Sequence, residues 1–400
     1  MSGRAAPGII FLIVFLDLLG VGLIAPLTPY IVERFSSSGT AVALLTLSYS
    51  AAQFLATPCM GAISDRVGRR PVLLVSVLGS AVGYVIFATA WSLPVLLFSR
   101  VLDGATGGNI STAQACIADF TPPKDRSKAY GLFGAAFGLG FVLGPAFAAA
   151  LVGIHPMAPI WGAAALSLVT GTLVWARLPE TLPPERRRRE ALRALDFNPV
   201  ASLARALAGR VVALLLGAML ALSLAHAELR TAFGLLLRDR HGLDERGAAG
   251  MFAYVGVLAV IVQGFLVRKV APALGDRRAT LVALPLAAAG YFSLPLWSSW
   301  PWLLVGLAMM GLGGGIAGPS LTGLLSRSAP ERGEGLVMGA SQAASSLGLV
   351  IGPIIAGPLY DHAGAGWPFW TAACLVLAGL GLVGLVGREP ARAPDVATSV

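Results

Sequence analysis

The chain has 400 residues, of which 56% are hydrophobic and only 12% charged, with a mean hydropathy of +0.77. A soluble protein carries about 25% charged residues, so a water-facing globule of this length is excluded. The formal net charge of +9 would suit a nucleic-acid partner, but the basic residues are spread over alternate gaps between apolar blocks, which excludes that partner too.

A block of about 20 apolar residues crosses a bilayer as a helix, because lipid satisfies no backbone group left unpaired. Twelve such blocks follow one another: 9–33, 41–63, 72–90, 94–118, 128–152, 158–177, 211–237, 247–267, 279–297, 301–326, 335–360 and 366–387. The first follows MSGRAAPGII and runs on to Tyr30 with no small-residue cleavage site, so it reads as a retained span and not a removed signal. It carries Asp17 within FLIVFLDLLGVGL, with no basic residue within four positions. An ionisable group at membrane depth costs about 3 kcal/mol or more, which makes each one a functional candidate.

The second span presents Tyr49 and Gln53, four residues apart. GAISDRVGRR (Gly61–Arg70) separates it from the third. There Gly61 lets backbones approach, Gly68 permits a tight turn, Asp65 ends one span and Pro71 suits the start of the next. The fourth span holds Arg100 and Asp103, three apart and able to pair, with Gly104, Gly107 and Gly108 on the same face. Asn109 and Gln114 follow, and Asp119 stands at its end. In the fifth, Gly140 and Gly144 form a smooth strip and Pro145 bends the helix. The seventh contains LAHAELRTAF, where His226 and Arg230 share a face and Glu228 lies roughly 200° around from both. All three cannot line one cavity. Gln263 on the eighth span and Gln342 on the eleventh complete the polar candidates.

With both termini in the cytoplasm, 23 of the 29 Lys and Arg residues fall in cytoplasmic segments. Only Arg34, Arg238, Arg240 and Arg246 fall in outer loops, and Arg100 and Arg230 lie within spans. The positive-inside rule then fixes the orientation and makes the basicity topological. Cys59, Cys116 and Cys374 have no metal-ligand spacing and read as core filler. GLGGGIAGP (Gly311–Pro319) lacks the Lys-Ser/Thr of a phosphate loop. No catalytic His, Ser or Cys constellation is present, so neither an enzyme nor a cofactor nor a metal is expected.

The polar stretch 178–210 divides the blocks six and six. Thr121–Pro145 overlays Ala329–Pro353 at an offset of 208 residues without gaps: Gly131 meets Gly339, Gly140 meets Gly348, and Gly144-Pro145 meets Gly352-Pro353. The expected fold is therefore an all-α membrane protein of twelve transmembrane helices in two six-helix pseudo-repeats, residues 1–177 and 211–387. Residues 178–210 are the cytoplasmic linker and 388–400 a cytoplasmic tail. A seam between such halves, reached alternately from either side, is a substrate site.

The loop G-A-I-S-D-R-V-G-R-R resembles the signature G-x-x-x-D-R-x-G-R-R of the major facilitator superfamily, and the resemblance covers essentially the whole chain. Leu16–Ile31, the loop running into RPVLL, and IADFT followed by FGLGFVLGP resemble the superfamily's tetracycline/proton antiporters. The resemblance implies a cytoplasmic gate made of Gly61, Asp65, Gly68, Arg69, Arg70 and Asp119: Asp65 would meet the start of the eleventh span, and Arg69 would pair with Asp119. It implies an exporter's fifth-span motif in Gly140, Gly144 and Pro145, and proton coupling at Asp17 and Arg100. Glu228 is the candidate titrating group of the second half. One departure stands out: the antiporters' eighth-span histidine and ninth-span aspartate have no counterpart in Tyr254–Val262 or Leu281–Gly290.

The expected function is proton-coupled efflux of a lipophilic or amphipathic small organic compound from a bacterial cell across its inner membrane, by a monomer working with protons, substrate and lipid. Tyr49, Gln53, Asn109, Gln114, His226, Arg230, Gln263 and Gln342 are the candidate substrate contacts. The alternative is proton-coupled uptake of a sugar or organic anion anchored by Arg230 and His226. A non-transporting receptor or scaffold would show no substrate flux at all.

Overall fold

The computed structural model describes residues 6–107, 109–121, 126–187, 206–207, 209–329 and 334–387. Every regular element among them is helical. The first apolar block forms α1 (Ala6–Ile24), a 3₁₀ turn at Ala25–Leu27 and α2 (Thr28–Glu33). Pro26 and Pro29 cannot donate to an α-helical ladder, so the block bends where they stand. Ser38 caps α3 (Gly39–Val67) by accepting from the Thr40 N–H, and Gly68 ends it. α4 (Arg69–Ala88) follows at once.

The fourth block was expected as one helix over 94–118 and is two: α5 (Leu93–Thr106) and α6 (Asn109–Phe120). The break falls at Gly107, where no side chain supports the helical backbone. α7 (Arg126–Val152) and α8 (Ala158–Arg177) complete the first half. The second half contains α9 (Arg210–Asp239), α10 (Glu245–Ile261), a π turn at Val262–Leu266, α11 (Val267–Leu274), α12 (Asp276–Ser293), α13 (Trp300–Ser328), α14 (Glu334–His362) and α15 (Trp367–Gly384). Asp244 caps α10 through the Gly247 N–H.

Among the described residues, nine helical stretches are long and apolar enough to cross a membrane, and Gly138–Val152 is a shorter apolar one. The outward faces agree: Leu55, Val75, Phe265 and Val282 are all exposed, a surface that suits lipid and not water. Cys116 is buried, as expected of core filler, but Cys59 is only half-buried and Cys374 is exposed. The tail, most of the linker and the segment 330–333 lie outside the described residues.

The buried apolar side chains separate by half. One cluster draws its buried members only from between Ala206 and Val386. A second runs from Leu19 to Ala164 and takes in Leu235 and Ala249 from the other half, and a third surrounds Ile13, Leu73 and Cys116. Across the seam α3 packs on α14 and α7 on α10.

Candidate functional site

A cavity of about 80 Å³ is lined by α1, the 3₁₀ turn, α2, α3, α4 and α5 of the first half and by Arg230 of α9 from the second. That is room for several waters. Its wall includes the Arg100–Asp103 pair on α5, with Arg100 Nη1 3.1 Å from Asp103 Oδ2. The two residues are 7% and 3% exposed. The guanidinium lies over two rings of α4, 4.5 Å from the centroid of Phe87 and 5.2 Å from that of Tyr84. Its Nε and Nη2 have no hydrogen-bond partner among the described residues. A buried ion pair with spare donors is costly unless something else meets them.

Small residues set the pair's position. A β-carbon on Gly83 would lie 3.2 Å from Asp103 Cβ, and one on Gly104 would lie 2.9 Å from Ala52 Cβ. α4 and α3 can therefore close on α5 only because glycine stands there. On α3, Gln53 Nε2 donates to Tyr49 Oη at 3.0 Å and approaches the Gly107 carbonyl at 3.4 Å, but Gln53 does not line the cavity. Tyr49 and Arg230 line the same cavity. Asp17, half-buried on α1, is in electrostatic reach of Tyr49 and Tyr84.

Helix α9 resolves the choice between its faces. His226 and Arg230 are exposed in mid-helix, four residues apart, and Arg230 lines the cavity, while Glu228 is fully buried on the other side. The Thr371 hydroxyl lies 2.6 Å from Glu228 Oε2. Glu228 is thus not brought together with Asp17 and Arg100. Gln114, Gln263 and Gln342 are exposed and do not line this cavity. Gln263 lies within the π turn, and Gln342 contacts Ser346 of its own helix at 3.5 Å. The Asn109 side chain is outside the described residues. Tyr84 and Phe87 were missed by sequence reasoning, because an aromatic residue inside an apolar block carries no mark that separates a cavity wall from core.

At one end of the bundle stands the GAISDRVGRR loop. Arg69 Nη1 lies 2.6 Å from both Asp65 Oδ1 and Ser64 Oγ. Its Nε reaches Asp119 Oδ2 at 3.3 Å, so the ion pair implied by the resemblance is present. Thr181 also donates to Asp119, at 3.0 Å. The start of α14, which Asp65 was expected to meet, lies beside residues outside the description. Gly61 has no neighbour within 4 Å of where its β-carbon would be, so it makes no close approach here. A residue that sequence reasoning missed completes this loop. Glu180, three positions past α8, accepts from the Arg69 N–H at 2.8 Å and the Arg70 N–H at 3.3 Å. It meets the first turn of α4, where the helix dipole favours a carboxylate. Arg70 in turn donates to the Trp175 carbonyl.

At the opposite end the halves are bonded to each other. Asp361, near the end of α14, accepts from Ser38 Oγ (2.5 Å), the Gly39 N–H (2.6 Å), the Thr40 N–H (2.8 Å) and Thr40 Oγ1 (2.6 Å). Tyr30 Oη donates to the Leu243 carbonyl at 2.7 Å. Arg238 reaches the Pro29 carbonyl at 3.2 Å and Glu33 at 3.4 Å. Within the second half, Tyr360 Oη donates to Asp239 at 2.7 Å. Partial burial and the nearby Arg240 hold the His241 imidazole below its ordinary range. This end is closed.

Gly140 and Gly144 of α7 pack on α1: a β-carbon on Gly144 would lie 2.6 Å from Gly22 Cα. Pro145 falls within that helix. On the far side of α7, Gly256 of α10 sits against the Phe141 carbonyl, its β-carbon position 2.7 Å away.

The family model described as Major Facilitator Superfamily matches residues 10–340 and again 273–399. Tetracycline resistance protein, class C, of Escherichia coli is 32% identical over 357 residues, 88% of this chain and 89% of that one. Multidrug resistance protein 2 of Bacillus subtilis is 28% identical over 94% of this chain and 93% of its own. The crystal structure of the human organic anion transporter MFSD10 superposes with a TM-score of 0.72 at 28% identity, covering 96% of this chain and all of that one.

Proposed function

We propose that this chain, which belongs to the Major Facilitator Superfamily, exports a lipophilic or amphipathic small organic compound in exchange for protons. In this reading it is a monomer of twelve spans in a bacterial inner membrane, with both termini in the cytoplasm. The two halves rock about the seam, and the closed end faces outward, so the cavity here would load from the cytoplasm. The relatives that resist tetracycline and other drugs support export.

The observation that carries the proposal is the buried Arg100–Asp103 pair in the cavity wall, with two guanidinium nitrogens without a hydrogen-bond partner among the described residues. A proton arriving at Asp17 would remove a charge beside Tyr49 and Tyr84 and alter how the cavity holds its substrate. The loop at the other end, through Asp65, Arg69 and Asp119, would close the cytoplasmic side when the cavity turns outward.

The test uses inverted membrane vesicles and a panel of candidate drugs. Asp17→Asn is expected to abolish uptake driven by a pH gradient while leaving substrate exchange at equal pH. Full gradient-driven uptake by that variant would sink the role given to Asp17. A second reading, proton-coupled uptake of an organic anion, is favoured by Arg230 on the cavity wall and by the function in the name of the human structure. It predicts that Arg230→Ala abolishes binding of the anion.

A further inference from the structure

Helix α9 turns Arg230 to the cavity and sets Glu228 behind it, fully buried. The groups that face this carboxyl are few. α15 supplies Thr371, and α12 supplies Tyr291 within electrostatic reach. Among the described residues Glu228 makes no ion pair, and the other charge-bearing side chains of this stretch, His226 and Arg230, lie on the opposite face of its own helix. Its Oε1 has no hydrogen-bond partner among the described residues.

The hydrogens can be counted. Thr371 Oγ1 is 2.6 Å from Glu228 Oε2, 3.0 Å from the Trp367 carbonyl and 3.1 Å from the Pro368 carbonyl. A hydroxyl carries one hydrogen, and a carbonyl carries none. That one hydrogen cannot serve all three contacts, and a hydrogen on Glu228 serves the shortest while Thr371 donates to its own backbone carbonyls. An ionised carboxylate here would be a buried charge with no counter-charge, which is strongly unfavourable.

We infer that Glu228 binds a proton in this conformation, as a neutral acid donating from Oε2 to Thr371, in a site inside the C-terminal half and walled off from the cavity. One proton sits on Glu228 Oε2, one on Thr371 Oγ1, and Oε1 is left as the acid's carbonyl oxygen. Loss of the acid's proton strands a charge between α9 and α15, so release must accompany movement of α9 or entry of water. Because the same helix carries Arg230 on its cavity face, the proton and the substrate are linked through α9 without touching. Glu228 is on this account a positioning residue, and that consequence rests on the proton-coupled transporter reading above.

The test is infrared spectroscopy of the full chain in lipid, with an isotope label confined to glutamate carboxyls. The wild type is expected to show the carbonyl band of a protonated acid at neutral pH. Glu228→Gln removes the band, and Thr371→Val moves it to higher frequency, because the acid loses its acceptor. The glutamine amide can donate to Thr371 as the acid does, so Glu228→Gln keeps the wild-type melting temperature. No band at neutral pH, or a band that Glu228→Gln leaves in place, overturns the proton site. In proteoliposomes Glu228→Gln should retain exchange at equal pH and lose gradient-driven accumulation; full accumulation overturns the positioning role. If the wild type moves no compound yet shows the band, the transporter reading falls and the proton site stands.

Discussion

Gly68 holds φ at 114°, in a region that only glycine occupies without strain. A β-carbon there would also lie 2.8 Å from the Glu180 carboxyl carbon. Gly68→Ala is therefore expected to cost about 1–3 kcal/mol, read as a lower melting temperature of the purified protein. Gly68 was legible in the sequence because its loop has a fixed order. Glu180 was not, because its partners are Arg69 and Arg70, about a hundred residues earlier, and no local period links them. Arg100 and Asp103 were legible as a pair by spacing alone, whereas the rings beneath Arg100 were not. Asp103→Ala would leave that guanidinium buried and unpaired, at an expected cost of roughly 3–5 kcal/mol. Asp103→Asn keeps an acceptor and should cost less in the same thermal unfolding measurement.

Helix α7 works on two sides at once. Its Gly140 and Gly144 lie against α1 of its own half, and its Phe141 and Val142 backbone lies against Gly256 of the other. The sequence pattern exposed the first contact, a four-residue glycine pair. It did not expose the second, since Gly256 is a single glycine in a long apolar block. Substitution separates them. Gly144→Val should drive α1 and α7 apart and lower stability outright. Gly256→Val should leave each half folded and weaken only the seam, seen as less cross-linking between cysteines placed on α7 and α10. Equal loss of stability in both variants would argue against that division. The break in the fourth block at Gly107 and the π turn at Val262–Leu266 were beyond a reading based on hydropathy, which scores composition and not hydrogen-bond register.

For the whole molecule, the sequence pattern pointed to two helical halves with a seam but left the conformation open. Hydropathy and repeats are the same in every state of a two-state machine. The bonds that distinguish states are cross-half contacts such as Asp361 with Ser38, Gly39 and Thr40. Asp361→Ala removes all four, and at about 1 kcal/mol net for a typical hydrogen bond that is up to roughly 4 kcal/mol, so the balance should move by more than tenfold toward opening at that end. Spin labels flanking the contact would report a longer distance; an unchanged distribution would discount the contact as a gate. The number of donors on that one carboxylate has a further result in the kinetics. Four hydrogen bonds converge on a single group, so those lost before the transition state for opening raise its enthalpy. If opening limits turnover, the rate should climb steeply with temperature, and the Arrhenius plot of Asp361→Ala should be flatter.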